Sequence, residues 1–261
     1  MQKFRTLEDE KLMVEYYNKG YSARKINEEV LNGKFKTTKT VLDVLRKYGV
    51  QTKTTKDYFK TCNELSFIDI KTEGQAYFLG LLQSDGWICK NGNEIGFGSK
   101  DKELVLLFKD FIQTDNKIVE KSDFYQLCIK NEVLHRSLEK YKISSKLYGQ
   151  FVPNLPEDLL WHYIRGLFDG DGTICVTKTN YLRLNFIGGI QSMSQLSYII
   201  AKETNTEPVP ATINQNNIAV IQYGSKDIIY KICDKMYCGA NIYLNRKKQV
   251  LENYRGKSSQ G

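Results

Sequence analysis

YFLGLLQSDGWI (Tyr77–Ile88) and YIRGLFDGDGTI (Tyr163–Ile174) are two copies of one pattern, aligned without a gap and 86 residues apart, Asp85 against Asp171. A single duplication of this length describes two halves of a pseudo-symmetric domain, since solenoid and propeller units are shorter and repeat more often. Within each copy small residues fall four apart, Gly80 with Ser84 and Gly166 with Gly170, and a spacing of four is one helix face. Glycine costs up to about 1 kcal/mol inside a helix, so its use there predicts that another backbone comes very close. The economical reading is that the two helices cross each other at the pseudo-twofold axis. Each then ends in Asp-Gly, with Gly86 and Gly172 expected to take the left-handed stop position.

The texture around these helices repeats as well. From Gly74 the chain reads helix, strand, turn, strand, helix, strand, turn, strand, helix, and does so again from about Asp158. In Trp87–Gly98, WICKNGNEIGFG, Asn91-Gly92 is a hairpin signal between two strand-like runs. The run Lys102–Gln113 places Leu104, Leu107, Phe108 and Phe111 on one helix face, and Ile118–Lys130 turns at Ser122-Asp123. The expected class is α+β: two αββαββα halves, residues 57–157 and 158–261, behind a small all-α unit with its linker over residues 1–56.

That front unit reads as three short helices between Leu7 and Val50. Its apolar positions are Leu12, Val14, Tyr16 and Tyr17, then Ile26 and Val30, then Val41, Leu42, Val44 and Leu45. Gly20 can end the first helix, Ser22 can cap the second, Thr38 or Thr40 can cap the third, and Tyr48-Gly49 can end it. The outline is helix-turn-helix, with Lys39, Arg46 and Lys47 on the helix that would enter a groove. An ordinary three-helix satellite with a solvated basic face is the alternative. Gln51–Thr61, QTKTTKDYFKT, is polar and basic and reads as a linker able to lie along phosphates.

Composition points the same way. Lys and Arg number 38 against 30 Asp and Glu, a net charge of +8 and pI near 9.0, which suits a polyanionic partner. No apolar run is long enough to span a bilayer, and Met1–Met13 lacks the apolar stretch of a signal peptide, so an intracellular, cytoplasmic protein with no membrane partner is expected. Six scattered cysteines and two histidines form no zinc pattern and read as free, mostly buried thiols.

Two aspartates at the C-termini of crossing helices repel each other and the helix dipoles. A divalent cation offsets that repulsion: carboxylates are hard ligands suited to Mg²⁺, with Mn²⁺ able to substitute, and carboxylate-held metals beside DNA are common equipment for phosphodiester hydrolysis. Asp-Gly alone is ordinary turn chemistry; two copies at matching positions behind glycine-bearing helices are not.

At these residues the chain resembles the LAGLIDADG homing endonucleases: Phe78–Gly86 and Ile164–Gly172 look like that family's two motifs, and the resemblance runs from about Gly74 to Tyr254. It implies paired four-stranded sheets forming a saddle over duplex DNA, cleavage of both strands across the minor groove, and Asp85 and Asp171 as catalytic, metal-holding acids. It also implies a polar residue ending the second strand of each half, matched by Ser99 or neighbouring Lys100 and by Gln191, and a late basic residue, matched by Lys146 and Lys247. Gln83 departs from the pattern where the second motif has Asp169. The Met start and the end KSSQG, without a His-Asn terminus, suggest a free-standing protein.

Strand residues alternate faces, so one row can be polar and meet DNA. Lys90, Asn91, Asn93 and Glu94 in the first half and Thr177, Lys178, Thr179, Tyr181 and Arg183 in the second are the candidate contacts. The expected function is a site-specific, Mg²⁺-dependent double-strand endonuclease acting as a monomer on a long asymmetric target, as in intron homing. The alternative is a non-cutting DNA-binding regulator or intron maturase on the same fold. No amphipathic anchor or lipidation signal supports a membrane-surface role.

Overall fold

The computed structural model describes residues 4–52, 62–89, 93–143 and 151–258. The chain divides into two compact units, Met1–Phe59 and Lys60–Gly261.

In the first unit, α1 (Leu7–Asn18) starts in a capping box between Thr6 and Asp9. Ser22 caps α2 (Ala23–Lys25), which runs into one π-helical turn over Ile26–Val30, and α3 (Lys39–Lys47) ends at Tyr48 with Gly49 at φ +67°. Thr38 holds the N-cap position of α3 but makes no side-chain cap bond. The core gathers Met13, Ala23, Ile26, Leu31, Val41, Val44 and Leu45. Met13 was not among the apolar positions read from the sequence; it centres the buried stripe of α1, with Tyr16 and Tyr17 three and four residues on. The acidic side chains of α1 tie it to the rest: Glu10 is buried and accepts from Lys47, Tyr48 and Arg5, while Asp9 accepts from Lys34.

The second unit holds the duplicated halves. The first runs α4 (Glu73–Asp85), β1 (Gly86–Ile88), β2 (Glu94–Ser99), α5 (Lys102–Ile112), β3 (Val119–Lys121), β4 (Phe124–Lys130) and α6 (Glu132–Glu139). The second runs α7 (Glu157–Asp171), β5 (Thr173–Val176), β6 (Leu182–Gly188), α8 (Ile190–Thr204), β7 (Thr212–Ile213), β8 (Ala219–Tyr223) and α9 (Lys226–Tyr237), followed by α10 (Asn245–Ser258). Each half forms a four-stranded antiparallel sheet, in the order β1-β2-β4-β3 and β5-β6-β8-β7. This is the expected α+β architecture of two αββαββα halves.

Local chemistry accounts for the boundaries. Thr72 and Gln75 form a capping box that opens α4, and Asn131 caps α6. The β3–β4 hairpin turns at Ser122, which takes φ +55°, beside Asp123. Both sheets alternate. Ile95 and Phe97 with Leu127 and Ile129, and Leu182, Leu184 and Phe186 with Ile221 and Tyr223, face the helices and the core, while the intervening residues face outward.

At the centre α4 lies against α7, and the glycines set the approach. A Cβ on Gly80 would fall 2.1 Å from the carbonyl oxygen of Tyr163, and one on Gly166 would fall 2.0 Å from that of Tyr77. Both are far inside contact distance, so the backbones touch where only hydrogen atoms fit. The glycines after the aspartates behave otherwise than expected. Gly86 (φ −82°) and Gly172 (φ −74°) are extended, because each helix passes directly into a strand without a left-handed reversal. Glycine is needed there for space: a Cβ would lie 2.4 Å from the Leu82 carbonyl oxygen, or 2.4 Å from the Phe168 ring.

Candidate functional site

Because both motif helices end at the crossing, Asp85 and Asp171 line one cavity of about 280 Å³, together with Ser84, Gly188, Ser192 and Met193. Asp85 is half-buried and Asp171 exposed. The close approach of Gly170 to the first motif, where a Cβ would sit 1.9 Å from Ser84 Oγ and 3.1 Å from Asp85 Oδ2, holds the two helix ends together.

Behind the cavity the pseudo-symmetry becomes chemical. Tyr77 donates its hydroxyl to Asp169 Oδ2 at 2.9 Å, and Tyr163 donates to Gln83 Oε1 at 2.7 Å. Asp169 also accepts from the Leu244 backbone N–H, while its other oxygen, Oδ1, is buried without a partner. Burial pushes the Asp169 carboxyl up to about 6 against the opposing pull of these donors and of Lys247 and Arg165. Burial, then the neighbouring Asp169, raises Tyr77 well above the ordinary phenol range.

Lys247 is the basic residue the resemblance singled out, and it is buried. Its ammonium donates to the carbonyls of Phe168 (2.5 Å), Asp169 (2.9 Å), Gly170 (3.3 Å) and Gly172 (2.6 Å). Phe168 also accepts from the Gly172 N–H, while Asp169 and Gly170 are among the carbonyls that a helix end leaves unsatisfied, and a cation there opposes the negative end of the dipole. Burial draws Lys247 down to about 8, with Asp169 and Asp85 opposing. The lysine therefore acts as the C-terminal clamp of α7, directly beneath Asp171. Next to it Arg246 grips Asp101 with two bonds of 2.8 and 2.9 Å, and the Asp101 N–H donates to Ser99 Oγ at 3.1 Å.

Arg165 and Glu73, which sequence reasoning did not single out, complete the frame. Arg165 is fully buried, pairs with Glu73 at 2.7 Å and donates to the carbonyls of Met236 and Ile242. Burial lowers its guanidinium, with Glu73 and Asp169 opposing. A lone arginine inside the second motif, where the first has Leu79, was the available signal.

The other expected residues separate. Ser99 ends β2 and is buried, as a strand-end polar residue. Lys100 is exposed and paired with Asp123 at 2.9 Å. Gln191 does not end a strand: β6 ends at Gly188, and Gln191 is exposed in the first turn of α8, because Gly189 already caps that helix. Lys90, Asn91 and Lys146 lie outside the described residues. Asn93 is half-buried at φ +52° before β2. Thr177, Lys178 and Tyr181 belong to the turn between β5 and β6, where the Tyr181 N–H donates to Thr177 Oγ1, and Arg183 is exposed on β6. In the front unit Lys39 is exposed, Arg46 pairs with Asp43, and Lys47 is drawn to Glu10. The cysteines are less buried than expected: Cys233 is buried, but Cys128, Cys175 and Cys238 are exposed because they fall on outward strand positions or after a helix end.

Among the described residues no three His, Cys, Asp or Glu side chains cluster as a metal site, and no helix is long and apolar enough to cross a membrane. Two carboxylates at a shared cavity fit an ion that keeps its waters and takes phosphate oxygens for the rest of its shell, as Mg²⁺ does. They do not fit a closed all-protein cage.

No family model and no curated protein matches the chain. Solved structures do. The LAGLIDADG meganuclease I-AabMI bound to uncleaved DNA overlays at TM-score 0.51 with 12% identity, over 70% of this chain and 90% of that one. The homing endonuclease I-WcaI bound to its DNA recognition sequence overlays at 0.50 with 13% identity, over 79% and 96%. The N-terminal LAGLIDADG domain of DUF199/WhiA overlays at 0.44 with 13% identity, over 77% and 98%. The chain has the LAGLIDADG fold.

Proposed function

We propose that the chain is a site-specific double-strand DNA endonuclease that uses Mg²⁺, or Mn²⁺ in its place, held by Asp85 and Asp171. The observation carrying this reading is that one carboxylate from each motif reaches the same cavity at the helix crossing. The metal, when bound, polarises the scissile phosphate and lowers the pKa of attacking water. The protein's own part is positional. Asp85 and Asp171 orient that chemistry, Gly80 and Gly166 fix their separation, and Lys247 holds the end of α7. Lys146 supplies charge near the phosphate, and Ser99 and Gln191 are supporting polar groups. The target is a long asymmetric duplex site, bound by a monomer, since both acids come from one chain. The front unit adds grip through Lys39, Arg46 and Lys47 in the manner of a helix-turn-helix. The same machinery serves intron homing inside the cell.

The test is cleavage of a randomised duplex library in Mg²⁺ beside the Asp85→Asn and Asp171→Asn variants. The parent is expected to cut both strands at one site, and each variant to bind that site without cutting both strands. A parent that selects one sequence and never cuts it in Mg²⁺ or Mn²⁺ overturns the nuclease reading in favour of a DNA-binding regulator or maturase.

A further inference from the structure

Leu244–Lys247, the approach to α10 and its first turn, fasten to both halves within four consecutive residues. The outer two hold the second half. The Leu244 N–H donates to Asp169 Oδ2 at 2.8 Å, and the Lys247 ammonium donates to the carbonyls at the end of α7, the helix that carries Asp171. The inner two reach the first half. The Asn245 amide donates to Glu103 at 3.2 Å, and the Arg246 guanidinium donates to both oxygens of Asp101, at 2.9 and 2.8 Å. Asp101 in turn is tied to the end of β2, where its N–H donates to Ser99 Oγ.

The Asp101 carboxylate has given up its local role for this contact. Aspartate at a helix N-cap ordinarily accepts from N–H groups of the first turn, yet Asp101, the N-cap of α5, makes no such side-chain bond. Both of its oxygens go to Arg246, whose guanidinium holds the carboxyl below the ordinary carboxylate range. Two parallel bonds fix the direction of the pair as well as its length. The pseudo-symmetry does not repeat the tie. At the matching strand-to-helix junction of the second half the N-cap of α8 is Gly189, which has no side chain. In the sequence, Ser145 precedes Lys146 where Arg246 precedes Lys247. The pair of Arg246 with Asp101 thus joins the β2–α5 junction of the first half to the segment that holds the α7 end of the second.

We propose that Arg246, acting through Asp101, is a positioning residue that keeps the β2–α5 junction in register with Asp171, so that both strands of a bound duplex are cut in one encounter. This rests on the reading of the chain as a double-strand nuclease that uses Asp85 and Asp171. Without the tie, the junction and the helix end shift independently, and the duplex leaves nicked before the second cut.

The experiment follows nicked and linear products from a supercoiled plasmid carrying the library-selected target, cut in Mg²⁺ by the full chain. Arg246→Gln, Asp101→Asn and the charge exchange of Asp101→Arg with Arg246→Asp are run beside the parent, each with its melting point and its duplex affinity in EDTA. The parent is expected to convert supercoiled to linear plasmid with little nicked circle. Each single variant should melt and bind as the parent does, yet raise the ratio of nicked to linear product about tenfold, the scale of one charge-assisted hydrogen bond. The exchange should lower that ratio again. A pair that is merely structural would move the melting point and leave the ratio at the parent's. Single variants with the parent's ratio, or a folded exchange variant whose ratio stays as high as theirs, overturn the inference while the nuclease reading stands. So does a loss of duplex affinity in Arg246→Gln that Asp101→Asn does not share, which assigns the arginine to DNA itself. A parent that cuts neither strand overturns both.

Discussion

Tyr77 and Tyr163, which occupy the same place in the two repeats, each donate a hydroxyl across the helix crossing into the other motif, but to unlike acceptors: Tyr77 to the Asp169 carboxylate and Tyr163 to the Gln83 amide. The backbone packing is nearly symmetric while the buried electrostatics are not. A hydrogen bond to a charged acceptor is worth more than one to a neutral amide. Tyr77→Phe is therefore expected to destabilise the protein by about 2 to 3 kcal/mol and Tyr163→Phe by about 1. Urea unfolding of both variants checks the order; equal losses would show that the charge on Asp169 is not felt by its donor.

The raised carboxyl of Asp169 makes stability depend on pH in a definite direction. Its folded pKa of about 6 lies above the ordinary 3.8, so between these values the folded state binds more protons than the unfolded. Stability contributed by this group is full below about pH 4 and falls as pH rises through 6, by about 3 kcal/mol. Unfolding free energies of the parent and Asp169→Asn from pH 4 to 7 should converge at the acid end and separate toward neutrality, with the variant the more stable. A difference that is flat with pH counts against a buried ionising Asp169.

Gly80 and Gly166 set two effects against each other. Alanine gains up to about 1 kcal/mol in helix propensity, but its Cβ would meet a carbonyl oxygen at 2.1 or 2.0 Å, a clash that only separation of the helices relieves. Gly80→Ala and Gly166→Ala are each expected to lose more than about 3 kcal/mol. Thermal melting reads this directly, and a melting point at or above the parent's would show that the helices have room to part.

Removing the clamp on α7 takes the ammonium from the carbonyls of Asp169, Gly170 and Gly172, while Phe168 keeps the Gly172 N–H. Lys247→Met, similar in length and without the charge, should lose about 2 to 4 kcal/mol and lower cleavage by displacing Asp171. Affinity for the duplex in EDTA should change little, because the ammonium points inward. A large drop in that affinity, with stability retained, would instead place Lys247 on DNA phosphates.

The repeat made most of the fold legible, for a physical reason. Glycine inside a helix is costly enough to need a cause, and two such helices supply each other's. The Asp-Gly junctions placed both acids correctly at the helix ends, but the backbone at Gly86 and Gly172 was misread, because Asp-Gly favours a left-handed turn only where the chain must reverse. Tertiary contacts hid the rest. Nothing in LNRKKQV announces that Lys247 turns inward onto α7, since its use depends on where α10 docks. Gln191 was matched by position alone to the polar residue that the resemblance implies at a strand end, but β6 already stops at Gly188 and Gln191 falls in the first turn of α8. Arg165 is buried because Glu73 and the carbonyls of Met236 and Ile242, all distant in sequence, meet its guanidinium.

The unequal pairing at the crossing also bears on how such a chain can change over time. A protein assembled from two second halves would set two Asp169 carboxylates around the same axis, each with a tyrosine to answer it, and would concentrate there the buried charge that now occurs once. One assembled from two first halves would have neither Asp169 nor Arg165, and Glu73 would lose its buried partner. Because Gln83 and Asp169 differ, neither half supplies the acceptor that the other half's place at the crossing now requires. What began as a repeat is now inherited as a single piece, in which each half can drift only as far as its opposite number allows.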